Sequence, residues 1–314
     1  MISSQASAAA KIILFGEHAV VYGHPAVAIP LQDVRASAAV SIDLSISIPV
    51  IEAKDLKICT TLDDQSYADS IAHIIKAIEL FNDKVTKLPK SGWHLTVESK
   101  IPIGRGLGSS AATSISVFRA LLKAMNKILL PKELIHFSFE LEKIHHGTPS
   151  GIDNTVISLE KPILFRKDKE PSAIKPALIY FVIGDTGISK NTAAVVSKVA
   201  EARKINIEHY DRIFTKIGQL ALEGSRALKD GDTKKLGHLM NENQALLEKI
   251  NVSSPELDNL IKAARSHGAI GAKLCGAGQG GCMVAVVKDF NSAKIVANQL
   301  MKAGADKSFI TKLK

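Results

Sequence analysis

The tightest constraint on this chain is the segment Pro102-Ile-Gly-Arg-Gly-Leu-Gly-Ser-Ser-Ala-Ala112, which sets three glycines and two serines directly ahead of a helical pattern. Beyond it Ile115, Phe118, Leu122, Met125 and Leu129 recur at three- and four-residue steps, which predicts an amphipathic helix over 109–129. Glycines let a backbone turn its N–H groups inward, and a helix start adds unpaired donors and a partial positive charge. The segment therefore reads as a binding loop for phosphate oxygens. It also reads as a tight strand-to-helix turn with Ser109 as the N-cap. The GK[ST] ending of a Walker A loop is missing. A second cluster, Gly276-Ala-Gly-Gln-Gly-Gly281, fits G-x-G-x-x-G but runs into an apolar strand pattern over 283–288. The dinucleotide fingerprint needs a helix there, so it fails; what remains is a loop bent close to a ligand or a plain hairpin turn.

Around these loops the first hundred residues are strand-rich. Strands are expected at 11–15, 26–30, within 35–51, at 57–62 and at 93–99, with a helix over 67–81. A further helix over 132–146 starts after Pro131 and stops at Gly147. After a strand and turn region at 162–186, helices are expected at 192–204, 208–228, 233–251 and 255–267. Strands at 269–274 and 283–288, a helix at 292–303 and a short strand near Phe309 close the chain. The change in texture places a lobe boundary near Ile174, giving an N-terminal lobe over 1–173 and a C-terminal lobe over 174–314.

With 314 residues, 46% of them hydrophobic, the chain can bury one large core or two modest ones. Its apolar stretches are interrupted well short of the roughly 18 residues of a membrane span, and the N-terminus lacks a basic signal-peptide region, so a soluble, cytoplasmic protein without membrane partners is expected. Cys59, Cys275 and Cys282 show no metal or disulfide spacing. The net charge of +9 is spread without basic runs or interleaved aromatics, which argues against nucleic acid; it suits either a solvated surface or the attraction of small anionic substrates.

Two polar features complete the pattern. Lys11 opens an apolar strand that ends in Gly16-Glu17-His18, charges that are costly unless paired, functional or at a strand end in water. The run His146-Gly-Thr-Pro-Ser-Gly-Ile-Asp153 presents an aspartate from a tight turn. Taken in order, Lys11–His18, the 102–112 loop, the turn before Asp153 and the 273–282 glycine segment resemble the GHMP kinase family, and within it the mevalonate kinase branch, through KIILFGEHAVVYGHPA and HGTPSGIDN. The resemblance implies an α+β, two-lobed kinase: an N-terminal lobe like ribosomal protein S5 domain 2, and a ferredoxin-like C-terminal lobe. It implies ATP and Mg²⁺ as cofactors, mevalonate as acceptor, 5-phosphomevalonate and ADP as products, and, from related enzymes, a homodimer.

By the same resemblance Asp153 is the catalytic aspartate that accepts or orients the proton of the attacking hydroxyl, with Lys11 as its cation. Ser110 and Glu142 match Mg²⁺ ligands, although Glu142 also reads as an ordinary exposed helical glutamate. Pro102, Gly104, Gly106, Leu107, Gly108, Ser109, Ser110 and Ala111 would wrap the triphosphate, with Gly276, Ala277 and Gly278 shaping the site beside them. Glu17, His18, Lys190 and Thr192 match substrate-side positions. The chain departs from the family pattern at Ala9-Ala10, where Pro-Gly is common, at Cys275, where Thr is usual, and at Gln279 inside the last glycine loop. Two rival readings stay open: another GHMP kinase acting on phosphomevalonate, a sugar or homoserine, and a silent ATP-binding sensor.

Overall fold

The computed structural model describes residues 3–43, 45–64, 66–146, 150–189 and 191–314. They form two compact units, each assembled from separated stretches of chain. The first comprises Met1–Ala10, Asp33–Pro102 and Gly108–Glu160; the second comprises Lys11–Gln32, Ile103–Leu107 and Lys161–Lys314. Two long strands, β1 (Ser3–Phe15) and β2 (Ala26–Ile42), each run from one unit into the other.

In the first unit, β3 (Val50–Ala53) pairs antiparallel with β4 (Ile58–Thr61) and parallel with β5 (Trp93–Ser99), whose other edge pairs antiparallel with β2 from Ala36 to Ile42. Along β5 the side chains alternate, with Trp93, Leu95 and Val97 buried. They meet the apolar faces of α1 (Ala72–Lys84) and α2 (Ser109–Ala124), where Ile74, Ile78, Phe81, Phe118 and Leu121 close one core. Burying such side chains contributes about 1.5–3 kcal/mol each, so this core anchors the start of α2 and the loop before it. Helices α3 (Pro131–His146) and α4 (Ile152–Leu159) complete the unit.

The helix expected over 109–129 stops at Ala124. Asn126 takes a left-handed conformation at φ 49°, and the Lys127 N–H turns back to the Leu122 carbonyl at 2.7 Å, closing the helix end while the apolar spacing continues past it. The helix α4 is an addition to the sequence reading, which expected only a turn at Asp153.

In the second unit, the N-terminal part of β2 pairs with β6 (Ile163–Phe165), itself paired with β7 (Ser172–Ala173). A separate antiparallel sheet follows the order β11-β8-β10-β9, from β11 (Lys307–Leu313), β8 (Ile179–Asp185), β10 (Cys282–Val287) and β9 (Gly271–Leu274). Helices α5 (Thr192–Ile205), α6 (Ile207–Asp230), α7 (Thr233–Lys249), α8 (Pro255–Ser266) and α9 (Phe290–Lys302) pack around it. Their starts are set by side-chain caps: Asn191, Asn206, Asp232, Ser254 and Asp289 each accept a first-turn N–H.

The β9 edge is closed by α7. Asn241 accepts the Ala272 N–H at 3.1 Å, and Gln244 accepts the Leu274 N–H at 2.9 Å. The two backbones meet where Gly237 faces Gly271; a Cβ on Gly271 would stand 2.4 Å from the Gly237 Cα. That closeness brings Asn243 and Gln244 to the root of the second glycine loop. No helix among the described residues is long and apolar enough to cross a membrane.

Candidate active site

In the first unit the 102–112 segment ends as the sequence requires. Gly108 adopts the left-handed conformation at φ 75° and hands the chain to α2, whose first turn holds Ser109, Ser110 and Ala111. Ser109 is the first helical residue rather than the N-cap, and its hydroxyl donates to the Ile101 carbonyl at 3.3 Å. The N–H groups of a first helical turn have no acceptor within the helix, so they are available to an anion.

Ser110 and Ala111 line a small hollow with Ser114 and Ile115 from α2 and Ser138, Leu141 and Glu142 from α3. Two residues 32 positions apart in sequence, Ser110 and Glu142, thus share one recess. A hydroxyl and a carboxylate are hard oxygen donors, the set that Mg²⁺ takes when phosphates and water complete its shell. Among the described residues no three of His, Cys, Asp or Glu gather into a metal cage.

Asp153 lies in the first turn of α4, which follows Gly151 at φ 84°. This short helix is tied to α3: the Asn154 amide donates to the Ser138 carbonyl, and the Ser138 and Ser158 hydroxyls lie 3.0 Å apart. Ser138 belongs to the same hollow as Glu142, so one set of buried bonds fixes the helix of Asp153 relative to that of Glu142. Residues 147–149 of the HGTPSGID motif lie outside the described residues.

In the second unit Lys11 is 2% exposed, and its N–H donates to the Leu107 carbonyl at 3.0 Å, fixing the start of the lysine motif to the end of the phosphate loop. Gly16, at φ 102°, lets the chain turn where a Cβ would stand 2.4 Å from the Ala26 Cβ. Glu17 and His18 follow, both buried. The Glu17 carboxylate receives the Lys273 ammonium at one oxygen and the Asn243 amide at the other, at 3.2 Å for the latter; neither charged side chain of the pair has exposed surface. Lys273 also donates to the Leu274 carbonyl.

His18 stands at φ 59°, with its Nε2 3.0 Å from the Ala277 carbonyl. A carbonyl only accepts, so Nε2 carries the proton and Nδ1 presents a lone pair; that atom is buried with no hydrogen-bond partner among the described residues. Burial holds its pKa down at about 4, against the opposing effect of the Ala277 carbonyl and with a smaller push from Lys273. Neutral His18 thus donates to the second glycine loop through Nε2 and keeps a buried acceptor at Nδ1.

That loop is pinned on several sides. A Cβ on Gly276 would lie 3.9 Å from the Gly106 Cα, so the two glycine loops run close together. A Cβ on Gly278 would meet the Val252 carbonyl at 1.9 Å. Gln279 keeps a left-handed φ of 57°, held by its N–H to Val252 at 2.8 Å and by its amide to the Asn251 and Ser253 carbonyls at 2.9 Å each. Three hydrogen bonds at about 1 kcal/mol net each outweigh the 1–2 kcal/mol cost of that conformation. Thr192 is exposed at the first position of α5, and Lys190 lies outside the described residues.

Asn243 and Ser138 escaped the sequence reading, whereas Lys273 and Asn154 entered it only as members of the 273–282 and HGTPSGIDN segments, without a role.

The chain resembles known kinases in sequence and in fold. Residues 72–161 match the family model described as the GHMP kinases N terminal domain, and residues 225–306 match GHMP kinases C terminal. The chain is 34% identical over 316 residues to the mevalonate kinase of Thermococcus sibiricus, covering 95% of this chain and 93% of that protein. It is 37% identical over 298 residues to the mevalonate kinase of Pyrococcus abyssi, covering 90% and 88%. The crystal structure of L. major mevalonate kinase in complex with R-mevalonate aligns with a TM-score of 0.86 at 27% identity, over 99% of this chain and 95% of that one.

Proposed function

The chain belongs to the GHMP kinase family, and from that premise we propose that it transfers the γ-phosphoryl group of ATP to the primary hydroxyl of mevalonate, giving 5-phosphomevalonate and ADP. The observation that carries the reading is the shared recess of Ser110 and Glu142 at the start of α2, beside the helix that bears Asp153. A nucleotide triphosphate needs first-turn N–H donors and a hard cation, and this recess offers the donors for both. The acceptor is assigned from relatives that align over nearly the whole chain.

In this reading the glycines and Ser109, Ser110 and Ala111 bind the phosphates through backbone N–H groups, and Gly276, Ala277 and Gly278 support them. Ser110 and Glu142 would hold Mg²⁺, which when bound neutralises phosphate charge. Asp153 takes the proton of the mevalonate primary hydroxyl or orients that hydroxyl for in-line attack on the γ-phosphorus. Lys11 supplies the cation that stabilises charge on the transferred group. His18, Lys190 and Thr192 serve the substrate side; His18 does so as a neutral acceptor for a hydroxyl rather than as a cation for the carboxylate. Glu17 acts through Lys273, holding the root of the second glycine loop.

Replacing Asp153 with Asn tests the assignment. Turnover is expected to fall by at least about 10²-fold, the low end for loss of a general base, while the affinity for Mg-ADP stays within about twofold. Turnover close to wild type would remove Asp153 from the chemistry.

A further inference from the structure

The residues that run on from β8, 185–189, form a strap that touches both glycine loops within the second unit. Towards the phosphate loop, Asp185 Oδ1 lies 3.2 Å from Arg105 Nε, and the Ser189 hydroxyl donates to the Gly104 carbonyl at 3.2 Å. Towards the second glycine loop, the Thr186 N–H and hydroxyl both donate to the Gly281 carbonyl, at 2.9 and 2.8 Å. The Gly281 N–H in turn donates to the Ile188 carbonyl at 2.8 Å. There is no room between these pieces: a Cβ on Gly104 would stand 2.3 Å from the Ser189 Oγ, and one on Gly281 3.0 Å from the Arg105 carbonyl oxygen.

Asp185 is the unusual member. It is wholly buried, its Oδ1 also accepts the Gly187 N–H at 3.0 Å, and its Oδ2 has no hydrogen-bond partner among the described residues. A buried carboxylate with an idle oxygen is costly, and the hydrogen bond to Gly187 needs only a neutral acceptor. What requires the charge is Arg105, the residue between the two glycines that shape the phosphate loop.

We infer that Asp185 is a positioning residue for nucleotide binding: through Arg105 it fixes the Gly104–Arg105–Gly106 backbone against the phosphates, while the rest of the strap keeps the second glycine loop in register. The inference rests on the kinase reading for the identity of the ligand but not on mevalonate as acceptor. Arg105 is thereby assigned to holding the loop, its charge already matched by Asp185. The strap leads into Lys190 and Thr192, so it also joins the nucleotide loops to the substrate-side positions along the chain.

The test is calorimetric binding of Mg-ADP, which needs no acceptor, together with KM for ATP and for mevalonate. Asp185→Asn keeps the shape and the Gly187 bond. It is expected to raise the ADP Kd and the ATP KM about tenfold, since displacing a positioned group by about 1 Å costs up to about 10²-fold and a smaller shift costs less. The mevalonate KM should stay within about twofold. Arg105→Ala removes the group through which Asp185 acts, so it should raise the ADP Kd about as much as the double variant Arg105→Ala/Asp185→Asn, and it should melt lower than the double variant because Asp185 is left buried without its cation. Ser189→Ala, at the exposed end of the strap, is expected to raise the ADP Kd about two- to fivefold, the worth of one hydrogen bond.

Unchanged ADP affinity in folded Asp185→Asn overturns the inference. If that variant does not fold, unchanged affinity in Ser189→Ala does the same, as does unchanged ADP affinity in Arg105→Ala or a further loss of ADP affinity in the double variant. Wild-type protein that ignores mevalonate while the ADP effects appear would instead refute the proposed acceptor and leave the strap standing.

Discussion

The buried pair of Glu17 and Lys273 offers a direct test of how the second glycine loop is held. Both side chains are without exposed surface, and the bonds that satisfy them are few: Asn243 to the carboxylate, the Leu274 carbonyl to the ammonium, and the pair itself. Glu17→Gln keeps the volume and the acceptor for Asn243 but leaves a buried ammonium facing a neutral amide. Breaking a buried pair from one side costs about 3–5 kcal/mol. For a cooperative unit of 150–250 residues, 1 kcal/mol moves the Tm by about 2–4 °C, so the Tm should fall by about 6–20 °C. Glu17→Gln/Lys273→Met removes both charges and should recover most of that loss, because a buried pair is worth little relative to an apolar replacement. Urea denaturation of the two single variants and the double provides the coupling. The reasoning is refuted if Glu17→Gln stays within 1 kcal/mol of wild type, or if the double variant loses the sum of the single losses.

Three further outcomes follow from particular residues. Cys59 is exposed, whereas burial pushes the Cys275 thiol up to about 12 and Cys282 well above its ordinary value; native alkylation at pH 8 should therefore add one label, on Cys59, by peptide mass analysis. The pKa of His18, lowered by burial from 6.5 to about 4, means the unfolded chain takes up the proton first. Its contribution is complete above pH 6.5 and is lost as the pH falls towards 4, on the order of 3 kcal/mol, so stability of His18→Gln should fall less steeply across that window than wild type. Gly278→Ala sets a Cβ 1.9 Å from the Val252 carbonyl at a φ of +80° and should lower both Tm and ADP affinity. A melting curve unchanged from wild type would contradict that contact.

The sequence carried the fold wherever period and punctuation agreed. The strand at 93–99 and the helices after Asn191, Asn206, Asp232 and Ser254 were legible because alternation or caps marked them. It misled where a local signal met tertiary pairing. Pro30 suggests a break, yet β2 runs through it, because Pro30 falls between the residues paired with β6 and those paired with β5 and its missing N–H interrupts neither ladder. The stretch Ser3–Ala10 is too small and polar to read as a strand, yet it belongs to β1, a strand that pairs with β2. The eight residues of α4 are too few for a helical period to show. In the candidate site, glycines and carboxylates announced themselves through short motifs. Their partners did not: Lys273 finds Glu17, and Arg105 finds Asp185, only after the chain has folded.

The central claim is tested most directly by ADP release from the purified protein with Mg-ATP, offered mevalonate, phosphomevalonate, galactose and homoserine in turn, with the product identified by mass. The account predicts release that depends on mevalonate and yields 5-phosphomevalonate. A clear preference for another acceptor, or silence with all four, would contradict it.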